Sequence, residues 1–106
     1  MDYFAGIEAG GTKFNCIIAN GPESIIAEAT FPTTVPEQTL PQITEYIKQK
    51  VTMHGIRLTA AGLSCFGPVD LNPDSPTYGY ITTTPKLKWR NYPILKYFQD
   101  NLDVPM

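Results

Sequence analysis

Residues 3–8 and 13–20 carry apolar side chains on both alternating sets of positions, a pattern of extended strands rather than of an amphipathic helix. On the second run Phe14, Cys16 and Ile18 share one face, and Asn15, Ile17 and Ala19 share the other. Both faces are largely apolar, so the pattern predicts a central strand covered on both sides. Ala9-Gly10-Gly11-Thr12 lies between the two runs as a turn. Gly21-Pro22 makes the next turn and leads into a third strand over residues 25–31. The chain therefore opens as a three-stranded meander.

The period then changes. Leu40, Ile43, Ile47 and Val51 recur at helical spacing, with Glu45, Lys48 and Gln49 turned outward. Two starts are open for this helix. Thr34-Val35-Pro36-Glu37 has the form of a capping box, whereas Thr39 followed by Pro41 would place a proline in the first turn. Gly55 ends the helix in either case. Residues 57–65 form a fourth strand, set beside the others after a helical crossover. Residues 66–84 are rich in loop signals, Gly67-Pro68, Asn72-Pro73 and Ser75-Pro76, with a short strand at 80–83. Asn91 caps a last helix over residues 93–102, whose buried stripe is Ile94, Leu95, Phe98 and Leu102. Val104 then opens a further apolar strand, so the chain is expected to be a fragment of a longer protein.

Composition narrows the class. In 106 residues, 42% are apolar and 17% charged, which is globular and poor in charge. A net charge of −2 gives no case for nucleic acid or for an anionic membrane, and no apolar run is long enough to span one. Cys16 and Cys65 are far apart in sequence and have no CxxC or histidine companions. They argue against a zinc site or a disulfide framework and for a reduced, cytoplasmic protein.

Gly6-Ile7-Glu8-Ala9-Gly10-Gly11-Thr12-Lys13 is the segment with candidate chemistry. It is not a P-loop, because Thr-Lys rather than Lys-Ser/Thr follows the second glycine. Nor is it a dinucleotide fingerprint, because no Gly-x-Gly opens a helix. What remains is a hairpin whose amides lack side-chain cover and can approach an anion. Thr12 adds a hydroxyl, Lys13 a cation, and Glu8 a carboxylate able to hold a hydrated Mg²⁺. An ordinary tight hairpin is the other reading.

With its context, this segment resembles a known family. The Gly-Ile-Glu-Ala-Gly-Gly-Thr-Lys hairpin, the helix, and Gly62-Leu63-Ser64-Cys65-Phe66-Gly67-Pro68-Val69-Asp70 are similar to the amino-terminal half of a ROK-family sugar kinase. Asp70-Leu71-Asn72-Pro73, the run from Thr77 to Pro85, and Trp89-Arg90 resemble the bacterial fructokinase branch in particular. The resemblance implies the N-terminal lobe of an actin-like ATPase (ribonuclease H-like) α/β fold, the meander being followed by helix–strand units in a mixed sheet. It implies phosphorylation of a hexose by ATP and Mg²⁺, most of all D-fructose to fructose 6-phosphate, in an intact enzyme that is homo-oligomeric.

Carried over by position, the resemblance assigns ATP to Gly10, Gly11, Thr12 and Lys13, and metal to Glu8, where aspartate is the commoner family residue. It assigns the sugar to Gly67 and Pro68. Many glucose-directed members have an asparagine before a Gly-Trp here; Thr84-Pro85-Lys86-Leu87-Lys88-Trp89 departs from that, so Thr83 or Thr84 is the substitute candidate, and Trp89 is a candidate for the floor of the sugar loop. The family's catalytic aspartate is expected beyond Met106, and its zinc motif in the second lobe.

Other residues keep two readings at this stage. Asp70 lies beside the sugar segment, but a turn carboxylate accepting backbone amides is the simpler role. His54 suits a helix C-terminus, the cysteines suit a core, and Trp89 fits either the sugar floor or the core. Lys86, Lys88, Arg90 and Lys96 hold four of the eight basic residues, as a solvated surface or a positive rim for phosphate. The rival function is a non-catalytic sugar- or nucleotide-binding module, or a glucose- or mannose-directed kinase. A strand left open at Val104 would also favour self-association.

Overall fold

The computed structural model describes residues 2–106 as a mixed four-stranded sheet with its helices on one face. Strands β1 (Tyr3–Ala9), β2 (Lys13–Ala19) and β3 (Ile25–Pro32) form the expected antiparallel meander. Helix α1 (Pro36–His54) crosses over, and β4 (Leu58–Cys65) pairs in parallel with β1. The order is β3-β2-β1-β4. A 3₁₀ turn (Leu87–Trp89) and helix α2 (Ile94–Leu102) complete the chain.

Strand alternation places Ala5, Ile7 and Ala9 beside Phe14, Cys16 and Ile18 on one face, all buried. Leu40, Ile43 and Ile47 of α1 and Ile94 and Phe98 of α2 close that core. The opposite face is uncovered. Asn15 and Ile17 remain partly exposed there, and an open groove of about 770 Å³ runs over Gly6, Glu8, Ile17 and Gly62. Among the described residues, the expected two-sided cover of β2 is found on one side. An apolar residue such as Ile17 says that a face can be buried, not that a partner from the same segment exists.

Both expected starts of α1 also give way. The N-cap is Val35, which makes no side-chain cap, and Pro36 takes the first helical position, where its missing N–H is no loss. Glu37 does not fold back. The Thr34 amide instead donates to Thr39 Oγ1 (3.0 Å), and Thr39 donates onward to the Pro32 carbonyl (3.0 Å). Thr39 thus ties the helix to β3 from inside its first turn, and Pro41 lies within the helix. At the other end Gly55 takes φ 62°, with Gly55 N–H on Thr52 O and Ile56 N–H on Val51 O, the paired bonds of a left-handed C-terminal cap.

Three later expectations differ in detail. Asn91 does not cap α2; it takes a left-handed φ of 59°, and Pro93 is the capping position. Residues 80–83 form no strand, but Ile81 bridges singly to Val69 and to Tyr92. Residues 104–106 form no strand either, although the Ala61 N–H donates to Pro105 O (2.9 Å) along the free edge of β4.

Gly55 and Gly79 separate two costs of adding a side chain. Both have positive φ, but a Cβ at Gly55 meets nothing within 4 Å, while one at Gly79 would lie 2.6 Å from Leu95 Cβ. Gly55→Ala should lose about 1 kcal/mol of stability, the left-handed penalty alone. Gly79→Ala should lose a further 1–3 kcal/mol, roughly, from overpacking. Urea unfolding of the two variants checks the order; equal losses would contradict it.

Candidate functional site

β1 and β4 run in parallel and end together, with Ala9 in register with Cys65 and the Phe66 N–H on the Ala9 carbonyl (2.8 Å). The glycine hairpin and the Gly67-Pro68 turn therefore leave the sheet side by side. β1 is also the strand where pairing changes from antiparallel to parallel. In open α/β sheets, ligands sit outside the carboxyl ends of strands where the connections diverge.

The hairpin is closed by the Gly10 N–H on Lys13 O (3.0 Å). Gly10 is obligatory, because a Cβ there would stand 2.7 Å from that carbonyl oxygen. Thr33, just past β3, holds the turn from the side: its hydroxyl donates to Gly10 O (2.8 Å) and its amide to Thr12 O (2.9 Å). The Gly10 and Thr12 carbonyls are thus occupied. The N–H groups of Gly11 and Thr12 take no partner among the described residues. Two fixed donors, one of them on a glycine, make a surface suited to an anion. Lys13 is exposed at the start of β2.

Glu8 lies on the uncovered face. Its Oε1 accepts from Asn15 Nδ2 (2.9 Å), and Asn15 Oδ1 accepts from Thr30 Oγ1 (2.9 Å), a polar row across three strands. No group of three metal-binding side chains occurs among the described residues. A lone carboxylate is nevertheless the donor set that Mg²⁺ uses when it keeps several waters and also binds phosphate.

The sugar-side candidates divide. The Gly67–Pro68 peptide is cis, and the Pro68 carbonyl accepts the Thr82 amide (2.8 Å) and hydroxyl (3.2 Å). Thr83 is exposed. Thr84 and Trp89 are each only 1% exposed, and their polar groups are used within the protein. Thr84 Oγ1 accepts the Lys86 amide (3.3 Å), and its carbonyl accepts from Arg90 (3.3 Å). Trp89 Nε1 donates to Thr34 O (3.0 Å), while its ring packs on Phe14 at 5.4 Å and Phe66 at 5.8 Å. Thr84 and Trp89 therefore hold the loop rather than offering their side chains at its surface. The Trp89 ring is buried in the core. Thr33 escaped sequence reasoning and Thr34 was read only as a helix cap, since a threonine after a strand carries no signal of a contact with a distant loop.

Asp70 accepts from Ser75 Oγ (2.6 Å), Thr77 Oγ1 (2.6 Å) and the Asn72 amide (2.9 Å). Those bonds, the Ser75 hydroxyl first, hold its carboxyl below the usual range. That is the turn role, and it makes a weak proton acceptor. Burial pushes the Cys16 thiol up to about 12 and the Cys65 thiol up to about 11, so neither is an ionised nucleophile near neutrality. His54 is exposed at the end of α1.

The sequence profile of the ROK family matches residues 4–106. A fructokinase from Lactococcus lactis subsp. cremoris is 43% identical over 104 residues, which cover 98% of this chain and 34% of that protein. A fructokinase from Pediococcus pentosaceus is 37% identical over 100 residues, covering 94% and 33%. The chain thus spans about a third of the length of these curated relatives. Among solved structures, a ROK hexokinase from Thermus thermophilus superposes with a TM-score of 0.73 at 23% identity, over 97% of this chain and 33% of that one. A ROK family glucokinase from Streptomyces griseus, in complex with glucose and AMPPNP, gives 0.64 at 22% identity, over 97% and 31%.

The hydrogen bonds to Asp70 set a pH dependence with a definite sign. A carboxyl whose folded value is depressed stabilises its loop above the ordinary carboxylate value and loses that contribution as pH falls through the lowered one. Asp70→Asn should reduce amide-exchange protection over residues 72–80 at neutral pH and differ little from the native chain in strong acid. Equal protection at neutral pH would remove Asp70 from the loop's support.

Proposed function

The chain belongs to the ROK family, and on that premise we propose that it is the amino-terminal lobe of a kinase that transfers phosphate from ATP to the 6-hydroxyl of D-fructose. Its sheet and helices have the actin-like ATPase fold of the ROK sugar kinases. The observation that carries the proposal is the pair of unpartnered amides at Gly11 and Thr12, fixed beside the Gly67-Pro68 turn at the common end of β1 and β4. Phosphoryl transfer requires donors positioned on the phosphate oxygens next to the accepting hydroxyl, and little covalent chemistry from the protein. Two relatives named fructokinase, at 43% and 37% identity, support fructose as the acceptor.

In this reading Gly10 shapes the turn, Gly11 and Thr12 donate to the ATP phosphates, and Lys13 supplies positive charge. Gly67, Pro68 and Thr83 border the sugar, and Trp89 and Thr84 fix that border from below. Glu8 would hold Mg²⁺ through its free oxygen; the ion, when bound, neutralises charge on the phosphates. The general base comes from beyond Met106, because Asp70, the acid nearest the sugar segment, is committed to its own turn. No helix among the described residues is long and apolar enough to cross a membrane. A cytoplasmic setting suits two unpaired cysteines.

The intact protein carrying this chain should phosphorylate fructose in preference to glucose and mannose in a coupled assay with MgATP. A flat hexose panel would overturn the substrate assignment. In the same protein, Gly11→Val should raise the KM for ATP by about 10-fold or more, since a branched side chain would stand over the donors of an anion site worth ~1.5–3 kcal/mol per bond. An unchanged KM for ATP would remove the hairpin from nucleotide binding.

A further inference from the structure

We propose that Lys86 is a phosphate-binding residue that acts together with the Gly11 amide. The proposal rests on the nucleotide reading of the hairpin, and it assigns the residue from a different part of the chain. A Cβ built on Gly11 would lie 3.3 Å from Lys86 Cε. The ammonium is one bond further, so it stands within roughly 6 Å of the Gly11 Cα. An oxygen that accepts from an amide at about 2.9 Å and from an ammonium at about 2.8 Å bridges donors up to about 5.7 Å apart. The Gly11 amide nitrogen lies one bond from that Cα, so one phosphate group, through one oxygen or two, can bridge the two donors.

The Lys86 ammonium has no hydrogen bond or ion pair among the described residues; the ion pair found there joins Lys96 and Asp100. Its backbone, by contrast, is fixed. The Lys86 amide donates to Thr84 Oγ1 (3.3 Å), and its carbonyl accepts the Trp89 amide (2.9 Å). Trp89 in turn packs on Phe14, the residue after Lys13. A rooted backbone thus carries a free cation to the turn that holds the two free amides. A cation and two free amides favour a ligand with negative charge and several acceptor oxygens, as a phosphoryl group has. The arrangement also gives a second reason for glycine at position 11: any side chain there would press on the lysine stem.

The test uses the intact protein. Lys86→Met keeps the apolar stem and removes the charge. It should raise the KM for ATP by about 10–100-fold, the equivalent of one charge-assisted hydrogen bond. The KM for fructose and the midpoint of thermal unfolding should stay within error, and Lys86→Arg should recover most of the loss. Lys88→Met, two residues on, should change nothing. Inhibition by fructose 6-phosphate separates the two sources of phosphate: a shift in ATP alone supports the proposal, whereas a shift confined to the sugar phosphate overturns it. An unaltered KM for ATP also overturns it. Should the protein turn over no hexose, the kinase reading fails on its own, and calorimetry with inorganic triphosphate still decides Lys86. Binding lost in Lys86→Met and retained in Lys88→Met supports it; equal binding in both, or binding by neither variant nor the parent, overturns it.

Discussion

The indole of Trp89 is held between Phe14 at the start of β2 and Phe66 just past β4, with its N–H on the carbonyl of Thr34, and the two sides of the candidate site depend on that contact. Phe14 follows the glycine hairpin directly, and Phe66 precedes the Gly67-Pro68 turn directly. Thr34 follows Thr33, whose hydroxyl and amide hold the hairpin carbonyls. One buried side chain thus sets the spacing of three segments distant in sequence. Truncating a tryptophan in such a position costs about 3–5 kcal/mol, whereas an exposed i,i+4 ion pair such as Lys96–Asp100 contributes about 0.3–0.5. The loop that carries Lys86, Lys88 and Arg90 is held by the first kind of interaction, with the Arg90 guanidinium on the Thr84 carbonyl and no ion pair among the described residues.

Polar groups at this end of the sheet are sorted by what is left free. The carbonyls of Gly10 and Thr12 are consumed by Thr33, and the carboxylate of Asp70 by Ser75, Thr77 and Asn72. The Gly11 and Thr12 amides take no partner among the described residues. Two free amides on a tight turn favour a ligand rich in oxygen and negative charge. Glu8 stands apart on the uncovered face, where Asn15 fixes one oxygen and leaves the other. The groove on that face runs over Gly6 and Gly62, paired across β1 and β4, where its floor is backbone rather than side chain.

Strand and helix identities were legible because each rests on local periodicity: the alternation of Phe14, Cys16 and Ile18, the spacing of Leu40, Ile43, Ile47 and Val51, and Gly55 at a left-handed stop. The meander followed by a helical crossover was legible for the same reason. Boundaries were less so. Thr34 and Glu37 have capping-box spacing, yet Thr39 takes the Thr34 amide because it also reaches the carbonyl of Pro32, a partner supplied by β3. Asn91 looks like a cap, but the loop it ends needs a left-handed residue there.

The sequence by itself determined the glycine hairpin, the acid before it, the meander and the resemblance that joins them, since these lie within short contiguous stretches governed by steric and periodic rules. Only the tertiary structure decided which face of β2 is covered, that Trp89 and Thr84 are supports, and that Lys86 reaches Gly11. Those outcomes depend on pairing β1 with β4 and on burying one indole between segments more than fifty residues apart, as Trp89 and Thr34 are. Contacts at such separations leave no local period, because each partner's residue type is compatible with many others until the chain closes.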